Sequence, residues 1–346
     1  MEKTLLAMIA LLLILGWNQS FKERWDHLVG KPVAEQRMPG HSKALLIVEG
    51  KQGGGSAFLC RLDGRPVVIS NAHVIGGIPG FKLTSIAGTA FTVQSGAVAV
   101  GHDLVKLEVG ANPGPDEIFE VMENLDANVK IGDAVSVLGN AEGAKVVRPV
   151  EGKVVGIGPN LVEVDAPFVP GNSGSPIIHQ ATGKVLGVAT YLIKRNVSKD
   201  ASECVTVEPR RFGYRLDHVK TWEPIQWPVF YAQAQQVEKI ELLSQDFITL
   251  FRHCQKTGAV SGDYKSPAIL RAVQLFSNQN VRNLGSSERA TLVPKFLGEL
   301  RFASRADILS FDTVHAYDYF RQKVEEHRLF RDAIYTGLTR AIDGTR

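Results

Sequence analysis

One serine of this chain sits in a bed suited to nucleophilic chemistry: Gly171-Asn172-Ser173-Gly174-Ser175-Pro176. A serine hydroxyl attacks a carbonyl only when a base takes its proton and backbone N–H groups stabilise the oxyanion that forms. Gly171 lets the chain turn so that its own N–H and that of Ser173 point at one oxygen, and Gly174 keeps the space beside the hydroxyl open. Glycine and serine also crowd ordinary turns, so the hexapeptide alone is a weak signal. Two upstream residues strengthen it. His73 follows the run Val67-Val68-Ile69-Ser70-Asn71-Ala72 and reads as the end of a strand, a setting that no other of the nine histidines shares. Asp103 stands just before the alternating stretch Leu104-Val105-Lys106-Leu107-Glu108-Val109. The separations are 30 residues (103 − 73) and 70 residues (173 − 103). In this reading His73 takes the Ser173 proton through Nε2 and returns it to a leaving amine, while Asp103 holds Nδ1–H. The ordinary alternative for Asp103 is a strand cap. Asp133 and Asp165 are weaker orienters by position, and Asp165 is expected to brace the loop before Ser173.

The elements that must position these groups read as all-β from Ala44 to about Asp217. Short runs at 44–48, 66–70, 91–100, 134–138, 153–157, 161–164, 184–191 and 212–216 are separated in many places by glycine-bearing turns, the mark of barrels or sandwiches. Gly53-Gly54-Gly55 reads as a flexible turn; it lacks the Gly-Lys-Ser/Thr ending of a phosphate loop, which excludes nucleotide binding there.

The segment from Gly55 to Thr190 resembles the protease domain of the Deg/HtrA branch of trypsin-fold serine peptidases. The resemblance is carried by Gly55-Ser56-Ala57-Phe58, Ser70-Asn71-Ala72-His73-Val74-Ile75, Asp103-Leu104-Val105 and Leu138-Gly139-Asn140. It is densest in Val164-Asp165-Ala166-Pro167-Phe168-Val169-Pro170-Gly171-Asn172-Ser173-Gly174-Ser175-Pro176 and Gly183-Lys184-Val185-Leu186-Gly187-Val188-Ala189-Thr190. It implies a double barrel over 42–222, split near 115, with His73 and Asp103 from the first barrel and Ser173 from the second. It also implies an oxyanion hole from the N–H groups of Gly171 and Ser173, and peptide pairing along Val188–Tyr191, with Ala189, Thr190 and Tyr191 in contact. The loop 166–170, with Phe168, is expected to line the first specificity pocket. That loop holds no acid for Arg or Lys, so a small or medium aliphatic residue is expected before the cut. Asn172 cannot make the ion pair by which an aspartate there activates many trypsin-like zymogens. Ser175 stands where the family more often has glycine.

After Trp222-Glu223-Pro224-Ile225-Gln226-Trp227-Pro228 the period changes. Val237, Ile240, Leu243, Phe247, Ile248 and Phe251 recur at helical spacing, as do Leu297, Leu300 and Phe302. Ser286-Ser287-Glu288 reads as a helix start, and one long helix is expected from Asp312 to about Ile342. Residues 229–346 are thus read as a helical domain of roughly four helices. This departs from the family's usual PDZ domains, whose carboxylate-binding loop has no counterpart here. The face Val237–Phe251 is expected to pack within the chain rather than against a partner.

At 346 residues, with 44% apolar and 22% charged, the chain has room for two domains. A net charge of +3 without a Lys/Arg block excludes nucleic acid as a partner. Leu5 to Leu15 is an uninterrupted apolar run, short of a spanning helix but fitting a signal-peptide core. Residues 1–20 are therefore read as a signal peptide or a retained anchor, with a buried helix as the alternative, and 21–41 as a linker. Export to the periplasm or cell envelope follows from that reading. Three cysteines make no disulfide framework, and Cys60 reads as a small buried hydrophobe, with a Cys204 bridge left open. Neither a metal nor a cofactor is called for. The expectation is a serine endopeptidase; its rivals are a silent scaffold that binds peptides or a protein partner, and an anchored adaptor that works through its helices.

Overall fold

The computed structural model describes residues 41, 43–51, 53–110, 113–114, 117–140, 146–197, 206–260, 262–276 and 281–344. The run Leu5–Leu15, almost all of the 21–41 arm, and Cys204 lie outside them.

Alternation of buried and exposed positions makes the N-terminal half a set of one-faced strands. Its strands are β1 (Leu45–Gly50), β2 (Gly53–Leu62), β3 (Arg65–Ser70), β4 (Lys82–Ser85), β5 (Ala90–Phe91), β6 (Val93–Ala99), β7 (Val105–Val109) and β8 (Phe119–Glu120). In β7 positions 105, 107 and 109 are buried while Glu108 is exposed, as the pleat requires. The sheet curls as a half-barrel in the order β6-β7-β3-β2-β1-β4-β5, with β8 parallel to β2. The expected flexible turn at Gly53–Gly55 is instead the start of β2, where Gly50 pairs with Gly53 and Glu49 with Gly54. Close packing explains Gly55, where a Cβ would lie 2.5 Å from Val74.

The second half closes completely. Strands β9 (Ala134–Asn140), β10 (Val147–Ile157), β11 (Leu161–Val164), β12 (Pro176–His179), β13 (Val185–Val197) and β14 (Thr206–Arg215) form a barrel in the order β10-β11-β14-β13-β12-β9. Its interior is aliphatic, with Val135, Val137, Val154, Val162, Val164, Ile177 and Leu186 all buried. Each such side chain contributes about 1.5–3 kcal/mol relative to exposure. This is the trypsin-like double barrel expected from the sequence.

A further strand, β15 (Trp222–Pro224), returns to pair with β6 of the first sheet. Besides the short helices α1 (Ala72–Gly76) and α2 (Leu125–Asn128), four longer ones follow β15: α3 (Trp227–Thr257), α4 (Pro267–Gln274), α5 (Ser286–Leu309) and α6 (Asp318–Asp343). Proline in its first turn opens α3, and Gly258 at φ 68° closes it. Val237, Ile240, Leu243, Phe247 and Leu250 are all buried. Leu243, Phe247 and Leu250 share one core with Val293, Phe296, Leu297 and Leu300 of α5 and Ile334, Leu338 and Ile342 of α6. The apolar face of α3 is thus covered within the chain. Phe302 departs from the expected stripe and is 76% exposed, because two residues after Leu300 a helix has turned about 200°.

The last helix starts later than its periodicity suggests. Asp312 accepts hydrogen bonds from the Val314 and His315 amides at 3.0 and 3.3 Å, an Asx turn that breaks the helical path until Asp318. Aromatic packing then seats α3 and α6 together: Phe230 meets Tyr317 and Phe320 at ring-centroid distances of 5.8 and 5.2 Å. The same cluster reaches α1, where a Cβ on Gly76 would collide with Ala234 and lie 3.5 Å from Phe230. No helix among the described residues is long and apolar enough to cross a membrane.

Candidate active site

His73 does not end a strand; β3 stops at Ser70, and His73 lies in the first turn of α1 behind Asn71. Polar bonding sets that turn. Asn71 Nδ2 donates to the Asp103 carbonyl at 2.7 Å, and the His73 amide donates to Asp103 Oδ1 at 2.9 Å. The strand is interrupted so that backbone and ring of one residue can both meet Asp103.

His73 Nδ1 lies 2.5 Å from Asp103 Oδ2, and Thr190 Oγ1 donates to the same oxygen at 2.9 Å. Asp103 is 5% exposed, whereas the His73 side chain is 45% exposed and presents its outer edge to solvent. Burial alone would raise the Asp103 carboxyl, but the charge of His73 and hydrogen bonds from His73 and Thr190 hold it below the usual range. Burial alone would lower the imidazole, yet Asp103 holds His73 above its ordinary value. Glu241 on α3 adds to that rise and Lys323 on α6 opposes it.

Thr190 also reaches the serine. Its carbonyl accepts the Ser173 hydroxyl at 3.3 Å, so one residue bonds both Asp103 and Ser173. The loop around Ser173 is held by left-handed glycines, Gly171 at φ 97° and Gly174 at φ 87°. A Cβ on Gly174 would lie 1.9 Å from the Ser56 carbonyl, so no other residue fits that position. The amides of Asn172, Gly174 and Ser175 donate to the carbonyls of Val169, Ala189 and Asn172 at 3.0, 3.0 and 2.9 Å. Those of Gly171 and Ser173 donate to no described residue. These are the two N–H groups that the resemblance assigns to an oxyanion.

The sequence motifs include Ser56 but assign it no role. Its amide donates to the Ser173 carbonyl at 3.0 Å, its hydroxyl to the Gly171 carbonyl at 2.9 Å, and that hydroxyl accepts from the Asn140 amide at 2.8 Å. One side chain of the first sheet thus clamps the serine loop of the second barrel. The rival carboxylates lie elsewhere. Asp133 faces His179 at 3.4 Å, and Asp165 accepts from the Lys153 amide at 2.6 Å, bracing β10 rather than the serine loop.

Two expected substrate contacts need correction. Phe168 is 4% exposed and packs into the barrel core with Val164 and Ile177, so its ring does not line an open pocket. The Ala189 side chain is fully buried, and its amide and carbonyl are spent on Ser175 and Gly174. Thr190 is committed to Asp103 and Ser173, as above. The pairing of β13 with β12 ends at Val188, so on that side the backbone from Tyr191 onward has no strand partner among the described residues.

The fold is a trypsin-like double barrel, with a His–Asp–Thr–Ser network where the two barrels meet. Residues 55–188 match the family model described as trypsin-like peptidase domain. Among curated proteins, the chain is 25% identical over 162 residues to the serine protease Do-like HtrA of Bacillus subtilis (strain 168), covering 42% of this chain and 35% of that protein. It is 29% identical over 159 residues to the putative serine protease HhoB of Synechocystis sp. (strain ATCC 27184 / PCC 6803 / Kazusa), covering 41% of this chain and 35% of that one. The match therefore spans well under half the length of either relative. Among solved structures, a serine endoprotease from Yersinia pestis aligns over 51% of this chain and 59% of its own at 21% identity and a TM-score of 0.37.

Proposed function

We propose that this chain is a serine endopeptidase acting on extended or unfolded polypeptides. Ser173 attacks the scissile carbonyl, His73 takes its proton and passes it to the leaving amine, and Asp103 fixes the imidazole and stabilises its charged form. The oxyanion of each tetrahedral intermediate sits on the Gly171 and Ser173 amides, and water then resolves an acyl-enzyme on Ser173. The observation that carries this reading is Asp103 Oδ2 bonded at once to His73 Nδ1 and to Thr190, whose carbonyl holds Ser173. Substrate adds as a strand to the free side of β13 from Tyr191 onward, next to Thr190. Export, with Leu5–Leu15 as leader or anchor, is part of the same proposal and rests on the sequence.

One observation favours a second reading. The Ser173 hydroxyl is turned to the Thr190 carbonyl rather than to His73, as in a silent scaffold or a resting enzyme. Catalytic hydrogen bonds often tighten only once substrate is bound, so the resting enzyme is the better account. Casein hydrolysis by the full chain and its Ser173→Ala variant tests the proposal. Loss on the order of a million-fold is expected. Equal residual rates in the two proteins would leave the scaffold reading.

A further inference from the structure

A cation of the second barrel stands against the loop that precedes Ser173. Three arginines of β14 differ in what they meet. Arg210 grips Glu163 with two hydrogen bonds of 2.7 Å, and Arg215 holds Asp126 and Asp217, each at 2.8 Å. Arg211 makes no ion pair with a described residue; its Nε donates to the Phe168 carbonyl at 2.9 Å. A guanidinium carries five N–H donors, so the Nη ends of this fork are left without an acceptor among the described residues.

Strand register fixes the face on which that fork lies. Val162 and Val164 of β11 are buried in the barrel core, and they pair with Gly213 and Arg211 of β14. Cross-strand partners share one face of a sheet. Arg211 therefore starts from the inner face, as Gly213 does, where a Cβ would lie 2.3 Å from Ile177. On its other side Arg211 pairs with Leu192, directly after Tyr191 on β13. Its acceptor, Phe168, stands five residues before Ser173 (173 − 168). The stretch between them is braced: Asn172 Oδ1 accepts the Val169 amide at 3.1 Å, and the Asn172 amide donates to the Val169 carbonyl at 3.0 Å. The half-buried Arg211 thus lies between the strand proposed to receive substrate and the loop expected to line the first specificity pocket.

We propose that Arg211 is a specificity-determining residue that takes the carboxylate of an aspartate or glutamate standing just before the cut. This rests on the peptidase reading above, and it replaces the aliphatic residue expected from the loop alone. The loop 166–170 holds no charged side chain, but the strand beside it supplies a base. Holding the Phe168 carbonyl needs one donor, which a neutral side chain could give. The charge and the outer edge of the guanidinium remain for a ligand. A half-buried cation without an anion is costly, and a planar carboxylate matches the fork with two parallel hydrogen bonds.

Matched peptides that differ only in the residue before the cut, Glu, Leu or Lys, test this on the full chain. Wild type should cleave the Glu peptide with kcat/KM at least about tenfold above the other two. Arg211→Gln should erase that preference, Arg211→Glu should turn it toward Lys, and Arg211→Lys should keep it. Thermal midpoints identify the variants that fold. A bracing role alone would lower all three rates together; that result, or a wild type that favours Leu, would overturn the proposal. The peptidase reading fails separately, by absent fluorophosphonate labelling of the wild type. In that event the pocket is read by binding to the Ser173→Ala chain of product-like peptides ending in Glu, Leu or Lys. The Glu peptide should bind about tenfold tighter, and adding Arg211→Gln should remove the difference. Equal binding of the three peptides would overturn the proposal.

Discussion

Thr190 Oγ1 donates to Asp103 Oδ2 at 2.9 Å from a strand of the other barrel. With its carbonyl on the Ser173 hydroxyl, this residue joins Asp103 to Ser173 without passing through His73. Asp103 is therefore oriented by both barrels, and the site depends on their mutual seating. Hydrogen bonds to charged acceptors contribute about 1.5–3 kcal/mol. Thr190→Val, which keeps shape and removes the donor, should lower kcat roughly tenfold or more while leaving KM nearly unchanged. Steady-state kinetics on a peptide substrate, with circular dichroism to verify folding, checks this.

The pH dependence follows from the His73–Asp103 pair. In the proposed mechanism His73 acts as base only when neutral, and Asp103 holds its pKa above the ordinary value. The acidic limb of the rate profile should thus lie above pH 6.5, the usual histidine value. Asp103→Asn should move the limb downward and lower the plateau by about 10⁴-fold. For stability the two signs differ. The raised His73 stabilises the fold below its unfolded pKa and loses this as pH rises through the folded value. The lowered Asp103 does so above its unfolded pKa and loses this as pH falls through the folded one. Urea midpoints measured across pH should therefore favour the window between the ordinary aspartate and histidine values.

Ser56 offers a test of the clamp. Ser56→Ala leaves the buried Asn140 amide without the hydroxyl it donates to and frees the Gly171 carbonyl. A cost of about 1–3 kcal/mol in urea unfolding is expected. The inactivation rate at Ser173 should fall as well, because the loop that carries both free amides is held through Gly171.

Ser175 predicts the opposite direction. Its hydroxyl and the Asn172 Nδ2 are buried without partners among the described residues, both packed against Gly139, where a Cβ would lie 1.7 Å from the Ser175 oxygen. Ser175→Ala should raise stability by about 1 kcal/mol, read as a higher thermal midpoint. Gly139→Ala should prevent folding of the same region.

Much of the site could be read from local sequence because its parts are short and ordered. The glycines around Ser173 announce left-handed turns, and the apolar runs flanking His73 and Asp103 announce strands. The rest depends on contacts between distant segments. Thr190 meets Asp103 across 87 residues, and nothing in the β13 pattern separates that threonine from its neighbours. The burial of Phe168 was hidden because a loop residue before a nucleophile can face either core or cleft. His73 reads as a strand end until Asn71 and Asp103 are seen to fold the next residues into a turn. The delayed start of α6 has a local cause after all: Asp312 lies two and three residues before amides it caps, and that turn overrides the helical periodicity.

The central claim is that Ser173 is an activated nucleophile. Intact-mass analysis of the full chain after fluorophosphonate treatment, with peptide mapping of any adduct, tests it most directly. The account predicts a single adduct on Ser173, absent from Ser173→Ala and strongly slowed in an alanine variant of His73. An unmodified wild-type protein, or an adduct at any other residue, would contradict it.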